Sequence, residues 1–198
     1  MNIQKISEFQ KSGRSYLDNL YNAFELLDWK CVESLFEDLI KCWKSGNTVF
    51  FCGNGGSAGN AIHIVNDYIY GIAKRSGGGL SAIALSSNPA VLTCLANDIS
   101  FDDVFSEQLS VHGKKNDILV VLSGSGNSPN ILKAIREAKK IGLKSHCIVG
   151  FDGGKAKIEA DNSIHLPIHD MQIAEDSQLI ISHIIMQNMY KARIVQND

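Results

Sequence analysis

The chain has 198 residues, a formal net charge of −2, and 44% hydrophobic and 20% charged residues, a composition typical of one folded globular domain. This balance excludes a strongly basic nucleic-acid-binding surface, and no apolar run reaches the roughly 18 residues needed to cross a bilayer. We therefore expect residues 1–198 to form a single domain that binds neither nucleic acid nor membranes. Five cysteines without a Cys-x-x-Cys spacing, and a polar segment over residues 1–14, favour reduced thiols and a cytoplasmic location.

The first 45 residues carry apolar side chains at helical spacing and almost no turn signals. This pattern predicts two helices separated by a break near residues 27–30. Apolar positions are dense on both helices, and large apolar surfaces usually mark interfaces. One face of these helices is expected to pack on another subunit or on the rest of the domain, and we expect residues 1–45 to lie at an interface between subunits.

From residue 48 onward, short β-rich apolar runs alternate with helical stretches. Such runs are typical of strands that are buried on both faces of a parallel sheet. The predicted strands are residues 48–52, 82–85, 118–122, 145–149 and 163–167, and the predicted helices are residues 58–70, 89–95, 129–141, 154–160 and 173–195. The sequence therefore predicts an α/β fold, a doubly wound three-layer sandwich with a five-stranded, largely parallel sheet.

A glycine-rich segment, Cys-Gly-Asn-Gly-Gly-Ser at residues 52–57, joins the first predicted strand to a helix. Glycines let the backbone approach an anion closely, and a helix N-terminus offers free N–H groups. The spacing Gly53-x-Gly55-x-x-Ala58 also fits a loose dinucleotide-binding fingerprint, which requires an acidic residue at the end of the second strand. No carboxylate occurs at residues 84–87, so the acidic residue that a dinucleotide-binding site requires is missing. An anion site and a plain tight turn both remain open for this segment taken alone.

A serine-rich segment, Ser-Gly-Ser-Gly-Asn-Ser at residues 123–128, follows the third predicted strand. Ser128 is predicted as the N-cap of the next helix and Pro129 as its first residue. Serine hydroxyls and free backbone N–H groups bind phosphate without adding charge. The segment is not a P-loop, because no lysine follows in a Gly-Lys-Ser/Thr pattern.

Together, the two loops resemble those of the sugar isomerase (SIS) domain family, in particular its phosphoheptose isomerases. The resemblance continues through residues 82–86, 96–98, 101–106, 117–119 and 152–155 and covers nearly the whole chain. It implies an isomerase that converts sedoheptulose 7-phosphate to D-glycero-D-manno-heptose 7-phosphate through a cis-enediol, and so supplies heptose for surface polysaccharide. It also implies a homotetramer whose sites lie between subunits.

Two pairs of ionisable residues occur on predicted helices. His63 and Asp67 are four residues apart on one helical face, while Glu175 and His183 are eight apart on the last helix. Such nitrogen and oxygen ligands suit zinc, although an ordinary helix pair and a core histidine explain them equally well.

The resemblance favours a functional role for these four residues. It implies that Asp67 is the base and His183 the acid. It also implies that one zinc ion per subunit is held by His63, Asp67, Glu175 and His183. By the same resemblance, the substrate-binding residues are Asn54, Gly55, Gly56, Ser57, Asp98, Ser123, Gly124, Ser125, Ser128 and Glu175.

The chain departs from the family pattern at several of these positions. Asp67 replaces a glutamate, Glu175 a glutamine and Gln178 a histidine, and the family's arginine has no clear match, with Lys74 or Arg75 as possible substitutes. The alternative function is a non-catalytic SIS module that senses phosphosugars or binds a partner, like the relative that assists a replication initiator. That relative lacks the acid–base pair, and this chain keeps Asp67 and His183, which favours an enzyme.

Overall fold

The computed structural model describes residues 7–194, with the side chains of residues 7–192, so the predicted extensions of the first and last helices beyond those limits lie outside the described residues. The strands are β1 (Thr48–Gly53), β2 (Ser81–Ala84), β3 (Ile118–Ser123), β4 (Lys144–Val149) and β5 (Asn162–His165). The α-helices are α1 (Glu8–Glu25), α2 (Trp29–Ser45), α3 (Gly56–Asn66), α4 (Ile72–Ser76), α5 (Pro89–Asp98), α6 (Ser106–His112), α7 (Pro129–Ile141), α8 (Ala156–Glu159) and α9 (Met171–Ile194). Within residues 7–194, none of the helices has the length and apolar character required to span a bilayer.

The five strands form one parallel sheet in the order β2-β1-β3-β4-β5. All five predicted strands are present, with bounds that shift by one or two residues, and the predicted doubly wound sandwich is confirmed. The chain places β2 on one side of β1 and then returns to place β3 on the other side. Sheets with this order bind ligands where the winding direction reverses, beyond the carboxyl ends of the strands. Here that point lies between β1 and β3.

Alternate residues of the central strands face opposite layers of helices, as the two-residue period of a strand requires. Phe51, Val120 and Ile148 pack against the layer that contains α2, α3 and α9. Phe50 and Val121 face the other layer, which contains α6, α7 and α8. The sheet is therefore covered on both faces, which explains why its strands read as continuous apolar runs.

The N-terminal helical pair breaks where the sequence predicts. Helix α1 ends at Glu25, and Asp28 caps α2 by accepting a hydrogen bond from the Lys30 N–H at 3.0 Å. Helix α2 ends at Ser45 and is followed by Gly46, which adopts a left-handed conformation with φ 69°. The Asp28 cap marks the break between the two helices, and Gly46 separates α2 from β1.

A buried polar cluster ties α2 to the sheet. The Asp38 Oδ2 atom lies 2.6 Å from Lys144 Nζ and 3.2 Å from His146 Nε2. The Asn162 amide donates to His146 Nδ1 at 2.9 Å, so the ring carries its proton on Nε2, facing Asp38. Burial lowers the pKa of His146 to about 4, against the opposing pull of Asp38. Burial acts to raise the Asp38 pKa, but the Lys144 hydrogen bond and charge outweigh it and hold that pKa below its ordinary value.

Four helical segments differ from the sequence-based expectation. The predicted helix over residues 58–70 is instead α3, a π-helical turn at Asp67–Gly71, and α4. Helix α6 and the 3₁₀ turn at Phe101–Asp103 were not predicted. Helix α8 begins only at Ala156, because Gly153 and Gly154 have φ values of 84° and 56° and cannot belong to a right-handed helix.

Candidate active site

The two Gly/Ser loops lie side by side, because β1 and β3 are neighbours and both end at the same edge of the sheet. A reciprocal amide pair joins them. Asn54 Nδ2 donates to Asn130 Oδ1 at 2.9 Å, and Asn130 Nδ2 donates to Asn54 Oδ1 at 2.8 Å. Asn130, which the sequence analysis missed, is only 1% exposed and also accepts the Ile131 N–H. Both polar atoms of the Asn54 side chain are thus used to hold the loops together.

The serine loop, residues 123–128, orients its hydroxyls by internal hydrogen bonds. Ser123 Oγ accepts the Gly126 N–H at 3.0 Å, and Ser125 Oγ accepts the Asn127 N–H at 3.3 Å. A hydroxyl oxygen that accepts a backbone N–H keeps its own hydrogen free to donate. Ser125 is exposed and Ser123 is buried, so the loop presents donors at two depths.

Neighbouring segments hold the serine loop in a conformation that glycine makes possible. Gly126 has φ 67° and its Cα packs directly against the Gly153 carbonyl, which leaves no room for a Cβ. Asn127 Oδ1 accepts the Lys155 N–H at 3.1 Å and ties the loop to the segment after β4. As predicted, Ser128 is the N-cap of α7 and Pro129 its first residue. The Ser128 hydroxyl makes no capping hydrogen bond, which leaves it free for a ligand.

Gly124 fits closely between the serine loop and the start of α9. A Cβ at this position would lie 2.6 Å from Met171 Sδ and 3.7 Å from Phe151 Cε2. The absence of a side chain at Gly124 therefore lets the serine loop pack closely against Met171 and Phe151.

The first loop ends in a helix N-terminus that no side-chain hydrogen bond caps. Gly55, the N-cap of α3, has φ 55°. The Glu175 carboxylate, from α9, lies directly over Gly56, so closely that a Cβ there would collide with it. Carboxylates are stabilised at helix N-termini, where N–H groups are free. Glu175 is thus brought to the anion-binding end of α3.

Ser57, the second residue of α3, is buried at 3% exposure and accepts a hydrogen bond from Gln178 Nε2 at 3.0 Å. Gln178 Oε1 accepts from Asn60 Nδ2 at 2.9 Å, and the same nitrogen donates to the Glu175 carbonyl at 2.9 Å. Asn60 and Gln178 were not assigned a role from sequence. Asn60 lies four residues after Gly56, and Gln178 lies five residues before His183. These positions give a signal only once the pairing of α3 with α9 is known.

Farther along the same two helices, three ionisable side chains meet. His183 Nε2 lies 3.2 Å from Asp67 Oδ2, His63 Nε2 lies 3.4 Å from the same oxygen, and the two ring nitrogens are 3.3 Å apart. The histidines are about half exposed, whereas the Asp67 side chain is 18% exposed. Three of the four residues in the predicted pairs are therefore brought to one point that solvent or a ligand can reach.

Asp67 begins a π-helical turn at the end of α3, and its own N–H still donates to the His63 carbonyl, which keeps Asp67 on the helical face of His63. The turn adds a residue per turn at Asp67–Gly71, and π turns of this kind are frequent at functional sites. The Leu80 N–H donates to the Tyr68 carbonyl at 3.0 Å, and the Tyr68 hydroxyl donates to the Ser182 carbonyl at 3.4 Å. These bonds fix the turn between β2 and α9.

The three candidate ligand atoms also have the spacing of one face of a tetrahedral metal site. A tetrahedral ion with bonds of about 2.0–2.1 Å places its ligand atoms about 3.3–3.4 Å apart. The observed separations of 3.2, 3.3 and 3.4 Å match that edge length on all three sides. His63, Asp67 and His183 thus form a group that fits a metal ion, and Glu175 is not part of this close group.

Other predicted residues lie apart from this cluster. Asp98 is exposed at the end of α5, where its carboxylate accepts from the Asn97 amide at 2.7 Å and the Cys94 thiol at 3.4 Å. Arg75 stacks on the Tyr190 ring, 5.0 Å from its centroid, and Lys74 is exposed on the same short helix. Within the single chain, these side chains contact neither loop through any hydrogen bond among the described residues.

Known proteins resemble this chain in sequence and in structure. A family model described as the SIS domain matches residues 14–150. A phosphoheptose isomerase of Clostridium acetobutylicum is 36% identical over 78% of each chain, and one of Helicobacter pylori strain P12 is 38% identical over 89% of this chain and 91% of that relative. The solved phosphoheptose isomerase of Neisseria gonorrhoeae superposes with a TM-score of 0.81 at 26% identity, over 92% of this chain and 98% of that one. The chain therefore belongs to the SIS domain family, within its group of phosphoheptose isomerases.

Proposed function

We propose that this protein is an aldose–ketose isomerase that interconverts sedoheptulose 7-phosphate and D-glycero-D-manno-heptose 7-phosphate. The observation that carries the proposal is the 3.2 Å approach of His183 Nε2 to Asp67 Oδ2, beside two loops with free hydroxyl and N–H donors. A base and an acid within hydrogen-bonding distance are what proton transfer between adjacent carbon and oxygen atoms requires. Relatives named phosphoheptose isomerase support the choice of sugar.

In the ketose-to-aldose direction, Asp67 takes the proton from C1, next to the C2 carbonyl, and His183 gives a proton to the carbonyl oxygen. A cis-enediol results. The hydroxyl on C1 then gives its proton to the deprotonated His183, and the proton held by Asp67 returns to C2, which leaves an aldehyde at C1. Every proton removed is returned, so the reaction needs no oxidant or reductant.

The loops hold the phosphate while these protons move. Ser123, Ser125 and Ser128 donate hydroxyl hydrogens, while Ser57 and the backbone N–H groups of Gly55 and Gly56 act from the first loop. Gly124 lets the serine loop approach, and Asn54 fixes the two loops through Asn130. None of these loop residues carries a charge, so phosphate is bound by oriented dipoles and is readily released.

Glu175 and Asp98 complete the proposed substrate contacts. Glu175 lies over Gly56, between the loops and the cluster, where its carboxylate would accept hydrogen bonds from sugar hydroxyls. Asp98 is exposed and would reach a substrate across a subunit boundary.

We also propose that His63, Asp67 and His183 hold one zinc ion per subunit, with Glu175 or substrate oxygen at the remaining position. When bound, zinc would polarise the substrate carbonyl in place of the proton from His183, whose Nε2 would then be a zinc ligand. The support is the match between the three observed separations and a tetrahedral edge, with the nitrogen and carboxylate ligands that zinc accepts.

For assembly, we propose a homotetramer in the cytoplasm with residues 1–45 at subunit interfaces. Leu17, Tyr21 and Leu26 are exposed by 62%, 65% and 68% in the single chain, and neighbouring subunits would cover them. The product would supply heptose for a surface polysaccharide such as lipopolysaccharide or capsule. Light scattering at micromolar concentration should give four times the chain mass; a monomer would refute the assembly.

Incubation of the purified protein with sedoheptulose 7-phosphate, followed by chromatographic analysis of the products, tests the activity. We expect formation of the aldose phosphate by the wild type. We expect none by S125E, whose new carboxylate would repel phosphate from the serine loop. Calorimetry should show that S125E also loses binding of the sugar phosphate. Wild-type protein that binds the sugar phosphate without converting it would instead indicate a non-catalytic sensor.

Elemental analysis of protein supplied with zinc tests the metal site. We expect about one equivalent per chain and a clear loss in H63Q, while Q172E, on an exposed residue at the start of α9, should keep it. Less than roughly a tenth of an equivalent in the wild type, with activity resistant to a chelator, would contradict zinc binding. Asp67 and His183 would then act as a metal-free pair.

A further inference from the structure

A chain of buried hydrogen bonds leads from the backbone of α9 to the hydroxyl of Ser57. It begins at the Glu175 carbonyl oxygen, which can only accept. The atom of Asn60 that lies 2.9 Å from this oxygen must therefore be the amide nitrogen, Nδ2. The carbonyl thus fixes which way the Asn60 amide points.

Asn60 in turn fixes Gln178. The same Nδ2 atom lies 2.9 Å from the Gln178 side chain, and because it only donates, it must face Oε1. The other end of the Gln178 amide, Nε2, then faces Ser57 Oγ at 3.0 Å and donates to it. Gln178 is only 1% exposed, so no water competes for this orientation.

Ser57 consequently accepts from Gln178 and has its own hydrogen left over. Among residues 7–194, no hydrogen bond joins this hydroxyl to an acceptor, and the Glu175 carboxylate that lies over Gly56 makes none with it. A buried hydroxyl hydrogen without an acceptor is costly, so such groups normally have a partner. The hydroxyl lies in the first turn of α3, where free N–H groups also favour an anion.

We propose that Gln178 and Asn60 are positioning residues that hold the Ser57 hydroxyl as an obligate donor to the phosphate group of the substrate. This inference rests on the proposed function, since it needs a phosphate at the first loop. Gln178 itself contacts no substrate; it acts only through the direction of the Ser57 hydroxyl. The phosphate is held equally before and during proton transfer, so the device should affect KM and leave kcat unchanged.

A double-mutant cycle with inorganic phosphate as the probe tests this in the full-length protein. Q178M removes the donor at similar volume, and Q178E replaces it by an acceptor that draws the Ser57 hydrogen toward itself. Calorimetry should show phosphate binding weakened about threefold to tenfold in Q178M and more than about tenfold in Q178E and S57A, in line with a lost hydrogen bond to an anion. In the S57A background, Q178M should cause no further loss.

Equal losses from Q178M with and without S57A would overturn the inference, as would an unchanged affinity in Q178M. The loss of phosphate affinity that Q178E still causes in the S57A background measures the effect of the added charge alone. If thermal unfolding shows that Q178E does not fold, Q178M carries the test. The matched control is S177A, which removes a buried hydroxyl bonded to the Ile173 carbonyl on the same helix and should leave phosphate affinity unchanged.

With sugar phosphate as substrate, Q178M should raise KM by the same factor and leave kcat unchanged; a fall in kcat alone would contradict the positioning role. The proposed function fails separately. Wild-type protein that binds phosphate and shows this cycle, yet makes no aldose phosphate, would refute the isomerase and keep the inference. Wild-type protein that binds no phosphate would refute both.

Discussion

The amide pair between the two loops makes a specific prediction for the nearly isosteric variant N130D. In the wild type, Asn130 Oδ1 accepts from Asn54 and from the Ile131 N–H, and its Nδ2 donates to Asn54 Oδ1 at 2.8 Å. The variant keeps the two accepted bonds. It replaces the donated bond by contact between a carboxylate oxygen and the Asn54 oxygen.

The cost follows from these contacts. A lost hydrogen bond and an unsatisfied buried carbonyl together cost about 2–4 kcal/mol. The introduced charge lies in the first turn of α7, where the helix N-terminus offsets about 0.3–1 kcal/mol. We therefore expect N130D to lower the free energy of unfolding at pH 7 by about 2–3 kcal/mol. The affinity for sugar phosphate should fall as well, because the loops separate and a like charge is near.

The pH dependence of the stability of N130D shows whether the lost hydrogen bond to Asn54 causes the destabilisation. A protonated carboxyl group can donate to Asn54 and restore the pair, so folding raises the pKa of the introduced carboxyl above its unfolded value. A group with a raised folded pKa stabilises the protein at low pH, and this stability is lost as the pH rises through the folded pKa. The deficit of N130D relative to wild type should therefore shrink as the pH falls from 7 toward 4.

Urea unfolding at several pH values measures this deficit. The control is N188D, on an exposed residue whose amide donates only to the Ile184 carbonyl within α9, and it should change stability by less than about 0.5 kcal/mol. The reasoning is refuted if N130D is as stable as N188D at pH 7, or if its deficit stays constant on acidification.

Three further predictions concern the catalytic pair, the serine loop and the α2 anchor. D67N should lower kcat about 10²–10⁴-fold in product assays and leave the affinity for inorganic phosphate unchanged; a normal kcat would remove Asp67 from the reaction. G126A should cost about 2–4 kcal/mol in urea unfolding, from the positive φ and the contact with the Gly153 carbonyl, whereas G13A, with open space around it inside α1, should stabilise by about 0.5–1 kcal/mol. Folding lowers the His146 pKa from 6.5 to about 4, so neutral His146 stabilises the folded protein above pH 6.5. This contribution, up to about 3 kcal/mol, is lost as the pH falls toward 4. H146Q should flatten the dependence of the unfolding free energy on pH in this range, and an unchanged slope would contradict the prediction.

The sequence alone predicts the parts of this fold that depend on local patterns. Apolar runs identify all five strands, and Ser128-Pro129 identifies the start of α7, because strand burial and helix capping leave a mark within a few residues. Spacing alone placed His63 and Asp67 on one helical face. It did not show that His183 meets them, which came from the family resemblance.

What the sequence does not reveal depends on how the helices pack. The π turn at Asp67–Gly71 has no distinct residue signature, since its carbonyls are satisfied from distant segments such as Leu80. Gln178 reads as a polar residue in an apolar helix, and only the approach of α9 to α3 shows that it faces Asn60 and Ser57. Glu175, expected with the histidines, lies instead over Gly56, because it is two helical turns before His183 along α9.

The spacing along α3 relates the two halves of the site to the length of the substrate. Ser57 and His63 are six residues apart, which corresponds to about 9 Å along a helix axis. In an extended seven-carbon sugar phosphate, eight bonds separate C1 from phosphorus, a span of about 10 Å at the roughly 1.2 Å per bond of an extended chain. A three-carbon sugar phosphate spans about half of this, so its carbonyl would not reach Asp67 and His183 while its phosphate lies in the loops. The helix that begins at the anion loop thus sets the distance to the catalytic pair, and that distance suits a long sugar phosphate bound by its far end.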